Sequence, residues 1–217
     1  MDRKNIVICG CTSGIGLSTA ESLSKQGNNL FLIGRSEEKL INLASQLDNA
    51  PYYVLDLSTA QEKDFDQMAV KCRRYMDKLD GLIYTAGVPN IMPIRSITRD
   101  SVENTFRVNL YGFISIIRSV LEHLDCSGAS IVGISSGAAQ TPAIGQSIYA
   151  ASKAAMNIAI QALASELLDK KIRINTIMPG IVDTKMIKEA EATGTMSIER
   201  FRKFRLWGYS SPKQSLM

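Results

Sequence analysis

Six short runs of apolar residues alternate along the chain with longer segments whose apolar positions recur at helical spacing. The runs predict strands over residues 5–10, 29–34, 52–57, 81–87, 129–136 and 172–180. The segments between them predict helices over 15–26, 37–47, a stretch ending near 79, 100–125 and 147–169. Nearly all-apolar strands separated by helices indicate a parallel sheet covered on both faces. The pattern therefore predicts an α/β protein with a doubly wound sheet of about six strands.

The last part of the chain, residues 181–217, has a different pattern. It is polar, rich in methionine and basic residues, and contains no clear strand. A chain of 217 residues is long enough for one domain with a full core and too short for two ordinary domains. We therefore expect residues 1–180 to form the domain and 181–217 to be a lid and tail of that domain.

Composition and charge argue against several classes of protein. The net charge of +4 at pH 7 permits an anionic ligand but is too small to indicate nucleic acid. No apolar run is long enough for a membrane span or a secretory signal, so we expect no membrane partner and a cytoplasmic location. The four cysteines form no C-x-x-C pair and the only histidine, His123, has no serine elbow near it. These features argue against a metal site and against a serine-histidine-aspartate triad.

A glycine-rich turn joins the first predicted strand to the first predicted helix. In GCTSGIG, Gly10, Gly14 and Gly16 follow the spacing G-x-x-x-G-x-G. Glycine allows a tight turn and a close approach of a diphosphate to the main chain, and the helix N-terminus favours an anion. The alternative is a tight strand–helix turn without a ligand. The position of the turn favours dinucleotide binding, and its spacing differs from G-x-G-x-x-G.

The end of the second predicted strand bears on the choice of dinucleotide. An acidic residue there would bind both ribose hydroxyls of NAD, whereas this chain has Gly34 followed by Arg35. A guanidinium group can pair with a 2′-phosphate and stack on adenine. Arg35 therefore favours NADP(H) over NAD(H), the alternative being a solvated surface arginine.

A tyrosine and a lysine lie four residues apart in SIYAASK, within the last predicted helix. This spacing makes Tyr149 and Lys153 neighbours on one helix face. One interpretation is a helix that buries a tyrosine and exposes a lysine. The other is a phenol whose pKa is lowered by the nearby cation, so that it can exchange a proton near neutral pH.

Together these motifs resemble those of the short-chain dehydrogenase/reductase family, in its compact single-domain branch with a Rossmann-type sheet. Some members of that branch are 3-oxoacyl-carrier-protein reductases. The matching segments occur in the family's order and at its spacings, and they cover nearly the whole chain. They are GCTSGIG (10–16), Asp56, TAG (85–87), Asn109, ISS (134–136), YAASK (149–153) and PGIVDT (179–184).

The resemblance implies catalytic roles for four residues. Tyr149 would be the general acid in reduction and the base in oxidation, and Lys153 would lower its pKa and bind the nicotinamide ribose. Ser136, thirteen residues before Tyr149, would hydrogen-bond the substrate oxygen. Ser135 is disfavoured because it would face the opposite way if the strand continues. Asn109 would hold the helix backbone and a water that relays protons to Lys153.

The resemblance also implies a set of cofactor contacts. Asp56 would contact adenine, Ala86 and Gly87 would pass close to the cofactor, and the segment after Pro179 would meet the nicotinamide carboxamide. The full predicted set is Gly10, Thr12, Ser13, Gly14, Ile15, Gly16, Arg35, Asp56, Leu57, Ala86, Gly87, Tyr149, Lys153, Pro179, Gly180, Val182 and Thr184.

The chain departs from the family pattern at several positions. Cys9 replaces a threonine, and Tyr84 and Thr85 replace two asparagines, for which we expect altered packing rather than lost activity. Cys9 and Cys11 are expected to be buried inert thiols rather than a redox switch. Most relatives continue with a further helix and a final strand that pack against a partner subunit, and this sequence ends before these elements. We therefore expect a homo-oligomer, with a dimer favoured over the tetramer that is usual in the family.

The predicted function is an NADP(H)-dependent oxidoreductase that interconverts a ketone or aldehyde and the corresponding alcohol. The pocket mouth is expected at 87–93, 137–145 and around Met186, whose small and apolar side chains suit a largely apolar substrate. Residues 197–207 could be an amphipathic lid that favours an anionic substrate, or could pack on the domain. The main alternative function is a non-catalytic NADP(H) sensor or scaffold, and a nucleotide-sugar epimerase is a third.

Overall fold

A computed structural model describes residues 3–180 and 182. Within them, one six-stranded parallel sheet has the order β3-β2-β1-β4-β5-β6. Helices cover both faces, so the predicted doubly wound fold is confirmed. The strands are β1 Asn5–Cys9, β2 Asn29–Gly34, β3 Tyr52–Val54, β4 Gly81–Tyr84, β5 Ser130–Ile134 and β6 Arg173–Ile177. The helices are α1 Gly14–Lys25, α2 Glu37–Gln46, α3 Glu62–Tyr75, α4 Arg99–Phe106, α5 Gly112–Val120 and α6 Ser147–Glu166.

Alternate side chains of the strands enter two separate cores, as the pleat of a strand requires. On one face, Val7 of β1 and Phe31 of β2 pack with α3, α5 and α6. On the other face, Ile8 and Leu32 pack with α1 and α2. All four side chains are fully buried, which explains why the strands are apolar almost throughout their length.

The connection between neighbouring strands reverses direction at the centre of the sheet. From β1 the chain proceeds outward to β2 and β3, and then returns to place β4 on the other side of β1. In open α/β sheets a ligand crevice forms outside the carboxyl ends of the strands at such a reversal. The carboxyl ends of β1 and β4, at Cys9 and Tyr84, therefore mark the region of the functional site.

The predicted long helix over 100–125 is present as a run of helical residues from 99 to 123, but it is not α-helical throughout. The structure has α4, a π-helical segment Arg107–Tyr111, α5 and a short 3₁₀ turn Leu121–His123. At the centre of the break, the amide of Gly112 donates to the carbonyl of Arg107, five residues earlier instead of four. Such π-helical bulges occur frequently at functional sites.

Several strands end earlier than predicted. The runs 52–57, 81–87 and 172–180 leave the sheet after Val54, Tyr84 and Ile177. The last residues of these runs form loops at the carboxyl edge of the sheet, which is the edge where open α/β sheets bind ligands. The predicted lid and tail, 181–217, lie outside the described residues except for Val182.

Candidate active site

The glycine turn after β1 is built so closely that side chains are excluded. Gly10 has φ +86, and a Cβ added there would lie 2.6 Å from the amide nitrogen of Ala86. A Cβ on Gly16 would lie 2.2 Å from the carbonyl oxygen of Gly10. Gly14 also has a positive φ, of 53°. Both the turn and its packing against the end of β4 therefore require glycine.

The first turn of α1 presents main-chain donors beside these glycines. Ser13 is the N-cap residue, and its side chain makes no capping hydrogen bond. The amides of Gly14, Ile15 and Gly16 lie where an α-helix provides no acceptor. An anion at this position would meet three N–H groups and the positive end of the helix dipole. Thr12, half-buried, precedes the turn.

A groove runs along α1 from this N-terminus. It has a volume of about 470 Å³ and is lined by residues that include Gly14, Ile15, Thr19 and Val182. Val182 therefore lies near the glycine turn, as a cofactor-binding position would. Thr184, Met186 and the proposed lid at 197–207 lie outside the described residues.

Arg35 follows β2 and Asp56 follows β3, and the two side chains are close enough for their charges to interact. Both side chains are exposed. The carboxylate of Asp56 accepts hydrogen bonds from the Ser58 amide at 2.9 Å and the Ser58 hydroxyl at 2.6 Å. These bonds first, and the charge of Arg35 to a smaller degree, lower the pKa of Asp56. Leu57 is buried beneath them, so only its main chain could reach a ligand.

Ser136 and Tyr149 are brought together from the end of β5 and the first turn of α6. The Ser136 side chain lies close enough to the Tyr149 hydroxyl to favour its phenolate form. The Ser136 oxygen accepts from the amide of Ala138 at 3.2 Å, which orients it. Ser135 points the other way, into the core, and donates to the carbonyl of Lys153 at 3.2 Å. The geometry thus agrees with the preference for Ser136 over Ser135 as the residue facing Tyr149.

Lys153 is almost fully buried next to Gly87 and Asn109. Its ammonium donates to the carbonyl of Ile134 at 2.8 Å. A Cβ on Gly87 would lie 3.3 Å from Lys153 Nζ and 3.4 Å from Asn109 Oδ1. Because Gly87 has no side chain, only its main chain lies against these two polar groups.

Asn109, fully buried in the π-helical segment, uses both ends of its amide. Its Oδ1 accepts from the Val88 amide at 2.8 Å, and its Nδ2 donates to the Val88 carbonyl at 3.1 Å. Nδ2 also donates to Ser152 Oγ at 2.9 Å. Asn109 thereby ties the loop after β4 to α6.

The segment after β6 closes one side of the site. The amide of Gly137 donates to the carbonyl of Pro179 at 2.9 Å. This bond fixes Pro179 and Gly180 near the loop that begins at Ser136. A Cβ on Gly180 would meet nothing within 4 Å, so its main chain is open to a ligand.

Comparison with known proteins decides the family. A family model described as short chain dehydrogenase matches residues 4–194. The chain belongs to the short-chain dehydrogenase family. It is 33% identical over 190 residues to an L-xylulose reductase of Caenorhabditis elegans, covering 84% of this chain and 73% of the relative. It is 32% identical over 203 residues to a benzil reductase, (S)-benzoin forming, of Saccharomyces cerevisiae, covering 88% and 76%.

Solved structures of short-chain dehydrogenases share the fold. One from Shigella flexneri 2a, complexed with NADP, superposes with a TM-score of 0.82 at 26% identity, over 92% of this chain and 85% of that chain. One from Escherichia coli CFT073, complexed with NADPH, gives 0.81 at 26% identity, over 92% and 85%.

The predicted effect of Lys153 on Tyr149 is not what this short-chain dehydrogenase shows. The pKa of Tyr149 is raised, because burial disfavours the phenolate more than the nearby Ser136 side chain favours it. Burial also lowers the pKa of Lys153 from 10.5 to about 8. Lys153 is directed at the Ile134 carbonyl, and its own desolvation dominates.

Sequence reasoning missed Ser152 as part of this short-chain dehydrogenase site. Ser152 is fully buried, accepts from Asn109, and donates to the Tyr149 carbonyl at 2.7 Å. It links the π-helical segment to the first turn of α6. Ser152 lies three residues after Tyr149, and this spacing puts the two side chains on one face of the helix. That position, immediately before Lys153, was the signal from which the sequence could have predicted its role.

Of the residues that depart from the family pattern, Cys9 and Tyr84 are buried and Thr85 is half-buried. Thr85 Oγ1 donates to the carbonyl of Cys9 at 2.8 Å, which ties β4 to β1. Burial raises the pKa of Cys9 well above its ordinary value and that of Cys11 to about 12. Both thiols are therefore protonated near neutral pH, and thiols are weak nucleophiles.

Residues 3–180 and 182 contain neither a metal-binding cluster nor a membrane-spanning helix. Among these residues, no cluster of three or more histidine, cysteine, aspartate or glutamate side chains could hold a metal ion. No helix in the same part of the chain has the length and apolar character needed to cross a membrane.

Proposed function

We propose that this short-chain dehydrogenase is an NADP(H)-dependent oxidoreductase that interconverts a ketone or aldehyde and the corresponding alcohol. The proximity of the Ser136 and Tyr149 side chains, beside the glycine turn after β1, is the observation that carries the proposal. The reductase relatives and the NADP-bound structural neighbours support it.

The chain fits a dinucleotide at two separate points. The first is the N-terminus of α1, where the amides of Gly14, Ile15 and Gly16 have no helical acceptor. The second is Gly87, which has no side chain to crowd the ammonium of Lys153, so a ribose hydroxyl could accept from that ammonium. When bound, the nicotinamide supplies the hydride, which is the cofactor's own chemistry.

Tyr149 is proposed to donate the proton to the substrate oxygen during reduction. Its raised pKa keeps the phenol protonated near neutral pH, which is the form that a general acid needs. Ser136 is held by the Ala138 amide as an acceptor, so its own hydrogen can be given to the same substrate oxygen. The two hydroxyls would thus contact one carbonyl group.

Lys153 and Asn109 are proposed to supply charge and a route for protons. One of the three ammonium hydrogens of Lys153 bonds to Ile134, and the others remain for a ligand or water. Asn109 holds the Val88 loop against Lys153 and would position the relaying water.

Arg35 is proposed to select the phosphorylated dinucleotide. Its guanidinium is exposed, makes no ion pair among those found in the described part of the chain, and lies near the Asp56 carboxylate. Asp56 is hydrogen-bonded to its own loop through Ser58, so it is less available to bind ribose hydroxyls. A 2′-phosphate would give Arg35 a strong charge-assisted partner.

The substrate and assembly are proposed more coarsely. A small, largely apolar carbonyl compound or alcohol suits the loops 87–93 and 137–145. A homodimer is proposed because Tyr111, Ile114 and Ile158 are exposed apolar side chains on neighbouring helices. A cytoplasmic location is also proposed, as the sequence predicts. Sedimentation analysis would give the oligomeric state.

The direct test is turnover of a carbonyl panel with NADPH and, separately, NADH. The expected result is loss of the near-ultraviolet absorbance of the reduced nicotinamide, faster with NADPH. Tight NADPH binding without turnover of any compound would instead support the non-catalytic sensor or scaffold. Absence of both binding and turnover would contradict the proposal altogether.

A further inference from the structure

Tyr84, at the end of β4, lies directly beneath the π-helical segment that carries Asn109. Its side chain is fully buried, and its ring packs edge-on against Phe113 with 5.4 Å between centroids. Its hydroxyl donates to the main-chain carbonyl of Val108. A single side chain from the sheet therefore reaches the residue immediately before Asn109.

The Val108 carbonyl needs this partner because of the π-helical geometry. In a regular α-helix, the amide of Gly112 would donate to the carbonyl of Val108. Here the same amide donates to the carbonyl of Arg107. Val108 loses its usual donor in a buried environment, where an unpaired carbonyl is costly. The Tyr84 hydroxyl takes the place of that missing donor.

The absence of a side chain at Gly112 makes room for the hydroxyl. A Cβ added to Gly112 would lie 2.8 Å from the Tyr84 oxygen and 3.0 Å from a methyl group of Leu57. Tyr84 and Gly112 are thus matched across the break in the helix. Burial raises the pKa of Tyr84 well above its ordinary value, so the phenol stays a donor.

The helix is then tied to the segment after β4 at two adjacent points. Tyr84 bonds to Val108, and four residues later Val88 bonds to both ends of the Asn109 amide. We propose that Tyr84 is a positioning residue, which stabilises the π-helical break and thereby holds Asn109 against Val88 and Lys153. This inference rests on the proposed function for its effect on turnover, but not for its effect on the helix.

The test removes the hydroxyl alone, by Tyr84→Phe. We expect kcat to fall roughly tenfold, the rate equivalent of about one neutral hydrogen bond, with KM for NADPH nearly unchanged. We also expect faster amide hydrogen exchange over residues 107–113, measured by mass spectrometry without substrate. Ile117→Val is the matched control, because it removes one buried methyl group from α5 and leaves Tyr84 in place.

Gly112→Ala is the second variant. If Tyr84→Phe does not fold, this variant tests instead whether the Tyr84 hydroxyl stabilises the π-helical segment. The new methyl group should displace the Tyr84 hydroxyl and give the same two effects. In a double-mutant cycle the two substitutions should cost less together than the sum of each alone, because both remove one contact. Additive effects would overturn the proposed link between Tyr84 and Gly112.

The outcomes separate this inference from the proposed function. Faster exchange and reduced kcat in Tyr84→Phe, with neither in Ile117→Val, would support the positioning role. Reduced stability with unchanged kcat and exchange would overturn it, and so would faster exchange with unchanged kcat. If the wild-type protein turns over no carbonyl compound, the proposed function fails. The exchange measurement then still decides whether Tyr84 holds the π-helical segment.

Discussion

The glycine turn after β1 and the cluster around Lys153 lie at the same edge of the sheet, but they are made of different groups. The turn offers main-chain amides and excludes side chains, as the contacts of Gly10 and Gly16 show. The cluster consists of buried polar side chains: Asn109 binds the Val88 main chain and Ser152, and Lys153 binds the Ile134 carbonyl. The effects of substitutions in the turn should therefore depend mainly on steric fit, and the effects of substitutions in the cluster mainly on hydrogen bonding and charge.

The largest effect is expected at Tyr149. Replacing Tyr149 by phenylalanine removes the proposed proton donor and keeps the half-buried ring, so kcat should fall by about two orders of magnitude or more. NADPH affinity should change little, which titration with NADPH would check. Tyr75→Phe, on the exposed surface of α3, is the control. Turnover near the wild-type rate in Tyr149→Phe would contradict the assigned role.

Substitution of Gly16 tests whether steric fit dominates in the glycine turn. A methyl group there would lie 2.2 Å from the carbonyl oxygen of Gly10, so the turn must shift. We expect Gly16→Ala to lose about 1–3 kcal/mol in stability, as overpacking commonly does, and to weaken NADPH binding. Gly81→Ala is the control, since its nearest contact would be an ordinary 3.5 Å. Equal behaviour of the two variants in denaturant titrations and binding would show that the turn adapts.

Arg35 tests whether a side chain adds selectivity to a site built from main chain. Arg35→Ala should cost NADPH affinity by about 1.5–3 kcal/mol, the range for a hydrogen bond to a charged group, and change NADH affinity little. Arg74→Ala, another exposed arginine, is the control. An equal loss for both cofactors would show that Arg35 does not contact the 2′-phosphate.

The smallest effect concerns the buried charge of Lys153 and the pH dependence of stability. Its pKa is about 8 in the folded chain against 10.5 as an ordinary lysine, so the unfolded chain binds more protons between these values. Stability conferred by this group therefore rises with pH in that window. Compared with Lys153→Met, the wild type should gain about 1–2 kcal/mol between pH 7.5 and 9.5.

Denaturant titrations of both proteins at the two pH values would measure this difference. Cys9, Cys11 and Tyr149 also titrate with raised pKa values and lower stability at high pH, but they do so in both proteins and cancel. A difference that stays constant with pH would show that Lys153 titrates as an ordinary solvated lysine.

The local motifs were the part of the site that the sequence could predict. Glycines at 10, 14 and 16 have backbone requirements that follow from their own chemistry and from the turn between a strand and a helix. The alternation of side chains along a strand was enough to prefer Ser136 over Ser135, which the structure places on opposite sides. The sheet and its helices followed from apolar periodicity alone.

Predictions that depended on burial and on distant partners were less successful. The sign of the pKa shift of Tyr149 was wrong because desolvation exceeds the favourable contacts, and desolvation depends on the packed surroundings. The break in the predicted helix over 100–125 was missed because its sequence carries ordinary apolar spacing. Ser152 was missed because its partners come from a different helix.

The sequence by itself determined most of the elements and the glycine turn, because each depends on residues near one another along the chain. It also predicted which side chains react. Only the tertiary structure decided how these side chains are held. Tyr84 and Val108 are 24 residues apart, and Asn109 and Ser152 are 43 apart. Their hydrogen bonds form only when the sheet and the helices pack. The same packing removes water from Tyr149 and Lys153 and so sets their pKa values.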